Sequence, residues 1–182
     1  MADVKLATVR LAFPNLWVAK EFKAGDGKPR YDASFLIKKG SDNDKAIQAG
    51  IVQAAKEAFG EKWERTLAGL KGNSNKFAYS DGDLKDYDGY AGHMVIACHA
   101  KARPTVIDRN RNPITADDNK VYGGCYVNAI ISIWAQKGEN TGIRASFSGI
   151  QFVKDGEPFG GGKRASADDF DILEDEDGFD ML

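Results

Sequence analysis

The sequence predicts a mainly β domain: a small barrel of five or more strands with a helical insertion, followed by a disordered acidic tail. Three observations carry this. Residues 125–134 alternate with period two, Cys125, Val127, Ala129, Ile131 and Ile133 on one face and Tyr126, Asn128, Ile130, Ser132 and Trp134 on the other. Helical spacing occurs in one stretch, about residues 43–70, so the strand–helix alternation of a parallel sheet is missing. The charge is divided: all 25 Lys and Arg precede Asp168, and the eight acids from Asp168 to Leu182 have no base among them.

The elements follow in order. Thr8 to Phe13 alternates, with Val9, Leu11 and Phe13 inward and Arg10 outward; Pro14-Asn15 ends or bulges the strand and Leu16-Trp17-Val18 resumes it. After a turn at Gly25-Asp26-Gly27, the stretch from Arg30 to Lys38 places Tyr31, Ala33, Phe35 and Ile37 on one face, making an antiparallel hairpin with a long loop. Ser41 to Asp44 reads as a helix N-terminus. Ile47, Ile51, Ala55 and Phe59 then recur at spacing four, Gly60 stops the helix, and Trp63, Leu67 and Leu70 mark a second short one. Both are expected to pack on the outside of the sheet. Residues 71–92 read as loop. Met94 to Arg103 is a strand with Met94, Ile96, Cys98 and Ala100 on one face, and Val106-Ile107-Asp108 is a short extended piece. The last strand, Ile143 to Val153, turns Ile143, Ala145, Phe147 and Val153 one way and Arg144, Ser146, Ser148 and Ile150 the other. An OB-type barrel fits this set, and a sandwich fits it nearly as well. The expected division is an OB-fold domain at residues 1–160 and a linker with acidic tail at 161–182.

A chain of 182 residues that is 42% apolar can bury one real core. Neither a signal peptide nor a membrane-spanning run is evident, so a soluble, cytoplasmic protein with no membrane partner is expected. Cys98 and Cys125 lie in apolar strand-like runs; buried, reduced thiols fit best, and a Cys98–Cys125 bridge stays open. With −8 on the last fifteen residues and a net charge of −2, the body carries +6. A basic body with an acidic tail fits a nucleic-acid binder that carries its own electrostatic competitor.

Binding a single strand needs cations for phosphates and flat side chains for bases. Arg10, Lys101, Arg103 and Arg144 supply charge from separate strands; Tyr126 and Trp134 supply rings and Asn128 a hydrogen-bonding group. Phe77 and Tyr79, beside Lys76, are expected to close over a bound strand from a loop. In the tail, Asp168, Asp169, Phe170, Asp171, Phe179 and Asp180 interleave acids with rings, imitating a single strand. A solvated face and a solubilising tail are the plain alternatives.

Catalysis finds little support. His93, Cys98, His99 and Cys125 lack zinc spacing, and Asp81, Asp83, Asp86 and Asp88 lack the glutamate of a calcium loop. Gly160-Gly161-Gly162-Lys163 lacks phosphate-loop spacing. A two-metal nuclease using Asp81, Asp83 and Asp108 is the alternative function, and a cold-shock-like RNA binder a weaker one. The expectation is no enzyme, no catalytic residue, no metal and no cofactor.

Four phrases carry a family resemblance: Gly89-Tyr90-Ala91-Gly92-His93, Pro104-Thr105-Val106-Ile107-Asp108-Arg109-Asn110, Tyr122-Gly123-Gly124-Cys125-Tyr126, and Val153-Lys154-Asp155-Gly156-Glu157-Pro158-Phe159-Gly160-Gly161. In this order, and followed by Ser166-Ala167-Asp168-Asp169-Phe170, the chain resembles tailed-phage single-stranded DNA-binding proteins, long catalogued as a domain of unknown function. The resemblance implies an OB fold and sequence-independent coating of single-stranded DNA during replication or recombination in the host cytoplasm. It also implies an acidic tail that restrains DNA binding and meets partner proteins. The basic body further permits double-stranded DNA.

Overall fold

The computed structural model describes residues 1–21, 28–159 and 167–174. Seven strands form one sheet: β1 (Ala2–Lys20), β2 (Arg30–Lys38), β3 (Tyr79–Asp81), β4 (His93–Ala100), β5 (Thr105–Ile107), β6 (Tyr126–Gln136) and β7 (Gly142–Lys154), in the order β3-β4-β2-β1-β6-β7-β5. The sheet closes on itself through residues just before β3. Ile143 N–H donates to the Lys76 carbonyl at 2.8 Å and Ala78 N–H to the Ile143 carbonyl at 3.0 Å, a parallel bridge between this segment and β7. The five long strands and this segment therefore make a barrel, with β5 added in parallel on β7. The two strands missed in the sequence are the three-residue β3, within the stretch read as loop, and the opening half of β1 from Ala2.

Long β1 serves two partners: Ala2 to Arg10 pair with β6, and Arg10 to Lys20 with β2. Register shifts make this bend feasible, and Thr8 (φ 50°) and Phe13 (φ 47°) take left-handed conformations beside them. Each extra residue flips the side-chain parity that follows it. Val4, Leu6, Val9 and Leu11 stay in the core, while Phe13, expected inward, is 61% exposed. A further shift between β6 and β7, where Ile130 faces Gly149 and Ile131 faces Phe147, turns Ile150 into the core instead of outward.

Helix α1 (Asp42–Phe59) starts where Ser41 accepts from Asp44 N–H and ends at Gly60, whose N–H donates to Lys56. It does not lie outside the sheet. Its stripe of Ile47, Ile51, Ala54 and Ala55 joins Val4, Phe35, Ile131 and Ile133 in the main core, plugging the barrel. Gly50 allows this approach: a Cβ there would meet Ile133 Cδ1 at 3.3 Å and Val4 Cγ2 at 3.4 Å. Helix α2 (Trp63–Leu70) adds Leu67 and Leu70. The turn at Gly25–Gly27 and the linker from Gly160 to Ser166 lie outside the described residues. Cys98 and Cys125 are buried free thiols.

One polar cluster fastens α1 to the barrel. Buried Asp44 accepts from Tyr79 Oη at 2.6 Å, Gly40 N–H at 2.8 Å and Gln48 Nε2 at 2.9 Å. Burial acts to raise its pKa, but these donors outweigh burial and hold the carboxyl below its ordinary value. A depressed folded pKa gives stabilisation present above the unfolded value of about 3.9 and lost as pH falls through the folded one. Tyr79→Phe should cost about 1–3 kcal/mol at neutral pH by denying Asp44 its phenol donor. Chemical denaturation of the two proteins measures this, and the gap should narrow in acid as Asp44 protonates.

Candidate nucleic-acid interface

The inward face of β6 is core: Cys125, Val127, Ala129, Ile131 and Ile133 are all at most 3% exposed. Tyr126 and Trp134 on the other face are half-buried, outside the barrel. The Lys154 ammonium lies 4.9 Å from the Tyr126 ring centroid, and Arg10 is the cross-strand neighbour of Tyr126. Asn128 has a structural duty: its Oδ1 accepts from Thr8 N–H at 2.9 Å in the β1 bulge and its Nδ2 donates to Gln151 at 3.1 Å.

Arg10 is the hub of the barrel's outer surface. Its guanidinium donates to the Gly124 carbonyl at 3.2 Å and the Glu157 carbonyl at 2.5 Å, and sits 4.0 Å from the Phe159 ring centroid. Phe159 N–H donates to Gly123, and Gly124 N–H donates to Leu11. The Tyr122 hydroxyl accepts from Gly156 N–H at 3.1 Å. Gly124, at φ 117°, permits this: a Cβ there would stand 2.2 Å from the Glu157 carbonyl oxygen. Gly89 packs against the same pair, since a Cβ there would stand 2.6 Å from the Arg10 guanidinium and 2.8 Å from the Phe159 ring, so three phrases far apart in the sequence, around Gly89, Tyr122 and Glu157, are one spatial clasp.

From the clasp runs a line of rings. Tyr90, 3% exposed, covers Ala12, Leu36 and Val95 in a second small core on the outer face. Burial raises its phenol pKa to about 12. Tyr90 lies 6.4 Å from Phe159 and 5.2 Å from Tyr87, and Tyr87 lies 5.5 Å from Phe13. The last two rings open to solvent, Tyr87 56% and Phe13 61% exposed. Beside them the sheet presents the small side chains of Ser34 and Ala97, cross-strand neighbours on β2 and β4, with their β1 neighbour Ala12 buried beneath Tyr90. The outer face of these strands, flanked by the two rings, is the candidate trough; along β2 it runs roughly 26 Å at about 3.3 Å per residue from Lys38 to Arg30. At one end Arg10, Lys38, His93 and Tyr126 share a hollow of about 300 Å³. At the other stand Lys101 and Arg103, with Arg103 5.6 Å from the Trp17 ring centroid. Asp32, beside the trough, is held by His99 at 2.5 Å.

The structure therefore divides the residues singled out in the sequence. Arg10 and Tyr126 meet at one end of the trough, and Lys101 and Arg103 mark the other. Trp134, Arg144 and Lys76 gather elsewhere, around the β6–β7 hairpin, where Arg144 donates to the Asn75 and Asn140 carbonyls at 2.6 and 3.2 Å. Phe77 and Tyr79, each 6% exposed, are core residues, because their segment is a wall of the barrel and not a loop above it. Asp168, Asp169, Phe170 and Asp171 are exposed around a short turn; Phe179 and Asp180 lie outside the described residues. Sequence reasoning missed Phe13, Lys38, Tyr87, Tyr90 and Phe159. A second hollow, about 620 Å³, on the outer face of β1, β6 and β7 is lined by Lys5, Thr105, Ile130 and Ser148, with one cation and no ring.

The carboxylates of the nuclease alternative are occupied separately. Lys39 pairs with Asp81 at 2.7 Å and Asp83 at 2.6 Å, holding both below the ordinary range. Asp108 accepts from Asn110 N–H and Asn112 N–H within its own turn. Among the described residues no three His, Cys, Asp or Glu are grouped to hold a metal, and no helix is long and apolar enough to cross a membrane.

Comparison with known proteins extends the picture. The family model described as "Enterobacter phage Enc34, ssDNA-binding protein" matches residues 2–181. Protein p50 of Acyrthosiphon pisum secondary endosymbiont phage 1 is 43% identical over 176 residues, covering 93% of each chain. The C-terminally truncated single-stranded DNA-binding protein of bacteriophage Enc34 superposes with a TM-score of 0.70 at 25% identity, covering 86% of this chain and 88% of that one. The same phage protein in complex with ssDNA gives 0.64 at 28% identity, covering 87% and 89%.

Gly124→Ala should destabilise the fold by about 2–4 kcal/mol, because the clash is with backbone. Gly123→Ala, whose Cβ would find its nearest atom at 3.5 Å, should stay within about 0.5 kcal/mol of the parent. Thermal unfolding of the pair reads the difference.

Proposed function

The chain belongs to the family of the Enterobacter phage Enc34 ssDNA-binding protein, and on that premise we propose that it coats single-stranded DNA, without reading sequence, through the trough on β1, β2 and β4. The observation that carries the assignment of the face is the pair of exposed rings, Phe13 and Tyr87, standing over a floor of small side chains between two groups of cations. Bases stack on the rings, which present a flat face to any base. Phosphates run to Arg10 and Lys38 at one end and to Lys101 and Arg103 at the other. Arg10 has five N–H donors and uses its clasp for only part of them, so its charge still faces the hollow. Stacking on the rings makes the binding tolerant of sequence. The protein acts without catalysis, in replication or recombination, in the host cytoplasm. Its cationic surface also holds double-stranded DNA weakly.

The acidic tail regulates the trough. Tethered to the same molecule, it reaches an effective concentration of roughly millimolar, enough to displace weak ligands but not a long single strand. When DNA displaces it, the tail becomes free for replication or recombination proteins. Trp134, Arg144 and Lys76, beyond the trough, serve to extend the path of a longer strand.

Phe13→Ala and Tyr87→Ala should each raise the Kd for oligothymidine by about 5–150-fold, matching about 1–3 kcal/mol per stacked base, with unfolding curves unchanged. Undiminished binding by both would move the site. If four cations contact phosphate, log K should fall with log salt at a slope of roughly −3, since each contributes about −0.7 on single strands. A chain ending at Ser166 should bind more tightly than the full chain; equal or weaker binding contradicts self-competition. Matched DNA and RNA oligonucleotides in the same assay test the polymer preferred.

A further inference from the structure

The connection from β3 to β4 carries Tyr87 and Tyr90 onto the outer face, and its base is tied closed. Asp83 makes the tie. One of its carboxylate oxygens accepts from Gly92 N–H at 2.8 Å, nine residues on in the sequence, and the other accepts from Lys39 Nζ at 2.6 Å. Lys39, just past β2, also donates its backbone N–H to the Gly92 carbonyl at 3.2 Å and pairs with Asp81 at 2.7 Å. Asp83 N–H in turn donates to Asp81 at 2.9 Å. The backbone is close-packed at this point: a Cβ on Gly82 would stand 2.6 Å from the Tyr90 carbonyl oxygen and closer still to that of His93. The two ends of the connection are thus fastened to each other and to the end of β2.

Within the connection Tyr90 is buried, and residues 86–89 and 91–92 are exposed. Tyr90 against Phe159 is one anchor, and a loop fixed at one point pivots about it. Tyr87, 56% exposed, has ring contacts with Tyr90 and Phe13, of which Phe13 is itself open to solvent. A second fixed point is needed to give Tyr87 one direction. We propose that Asp83 is a positioning residue for single-strand binding: by tying Gly92 to Lys39 it stops the connection from pivoting and keeps Tyr87 beside Phe13. This role rests on the reading of the trough given above. Its physical basis is preorganisation. Where the two rings come together only part of the time, the apparent Kd rises by the inverse of that fraction. The hydrogen bond to Gly92 contributes more than the ion pair, because an exposed Lys–Asp pair stabilises little. Charge alone predicts the opposite effect: Asp83 is an acid on a protein that meets a polyanion, so deleting it would tighten binding if it did nothing else.

Asp83→Ala and Asp83→Asn remove the same charge, but Asn keeps an acceptor for Gly92 N–H. In the full chain without DNA, Asp83→Ala should lose the nuclear Overhauser contact between the Tyr87 and Phe13 rings and speed exchange of the Gly92 amide, while the Tyr90–Phe159 contact persists. Asp83→Asn should keep all three as in the parent. With oligothymidine, Asp83→Ala should raise the Kd about fivefold, as for a platform assembled about a fifth of the time, and Asp83→Asn should stay within about twofold of the parent. Asp83 lies at the surface, and an unchanged unfolding curve certifies the fold. A Tyr87–Phe13 contact that survives Asp83→Ala, or one Kd shared by the two variants, would overturn the proposal. A lost contact with an unchanged Kd would overturn the role in binding. Tyr87→Ala then separates the two readings, since normal binding by that variant as well would show the trough itself to be misplaced.

Discussion

The Arg10 clasp is the constraint on which the outer surface depends. One guanidinium joins β1 to the Gly123-Gly124 turn and to the strand leaving β7, through two carbonyls and the face of Phe159. A charged donor to carbonyl is worth about 1.5–3 kcal/mol where water is excluded, less at the rim, and the ring adds about 0.5–2. The larger consequence is positional. With Phe159 fixed, Tyr90 has a wall to pack against, the β3–β4 connection is laid over Leu36 and Val95, and Tyr87 is delivered beside Phe13. On the proposed reading, the cation that meets phosphate also builds the platform on which bases stack.

Much of the barrel was legible because period two is a strong signal where one face is buried. β2, β4 and β6 present the inward residues that alternation indicates. Alternation fails where the chain inserts a residue. Phe13 left the core because it sits within the Ala12–Asn15 bulge in a left-handed conformation, and Ile150 entered it because a bulge lies upstream; a bulge has no signature that hydrophobicity alone reveals. The first half of β1 did carry its signal, Val4 and Leu6 between Asp3 and Lys5, but it is short and begins at the terminus. β3 is three residues long and owes its place to β4, as the segment before it does to β7, partners that local sequence does not name. The helix was visible; its position as a plug was not, since an amphipathic stripe says which face is buried and not against what.

The site was half legible for the same reason. Arg10 and Tyr126 were visible as outward residues on strands, and they are neighbours. Phe77 and Tyr79 looked like loop aromatics and are barrel wall, with Tyr79 also supplying the buried donor that Asp44 requires. Asn128, read as a contact for bases, holds the Thr8 bulge. The rings that do face solvent, Phe13 and Tyr87, depend on a left-handed residue and on a loop laid down by distant packing. Four phrases carried the family resemblance, and three of them prove to be one clasp, so what the sequence repeats as a pattern of words is a set of contacts around Arg10.

The central claim is that the outer face of β1, β2 and β4 holds the single strand. The most direct measurement is an isotope-labelled NMR titration of the full chain with oligothymidine. The largest shifts should fall on Arg10, Phe13, Lys38, Tyr87, Ala97 and Tyr126. Shifts centred instead on Lys5, Thr105, Ile130 and Ser148, with the first group unmoved, would contradict the account.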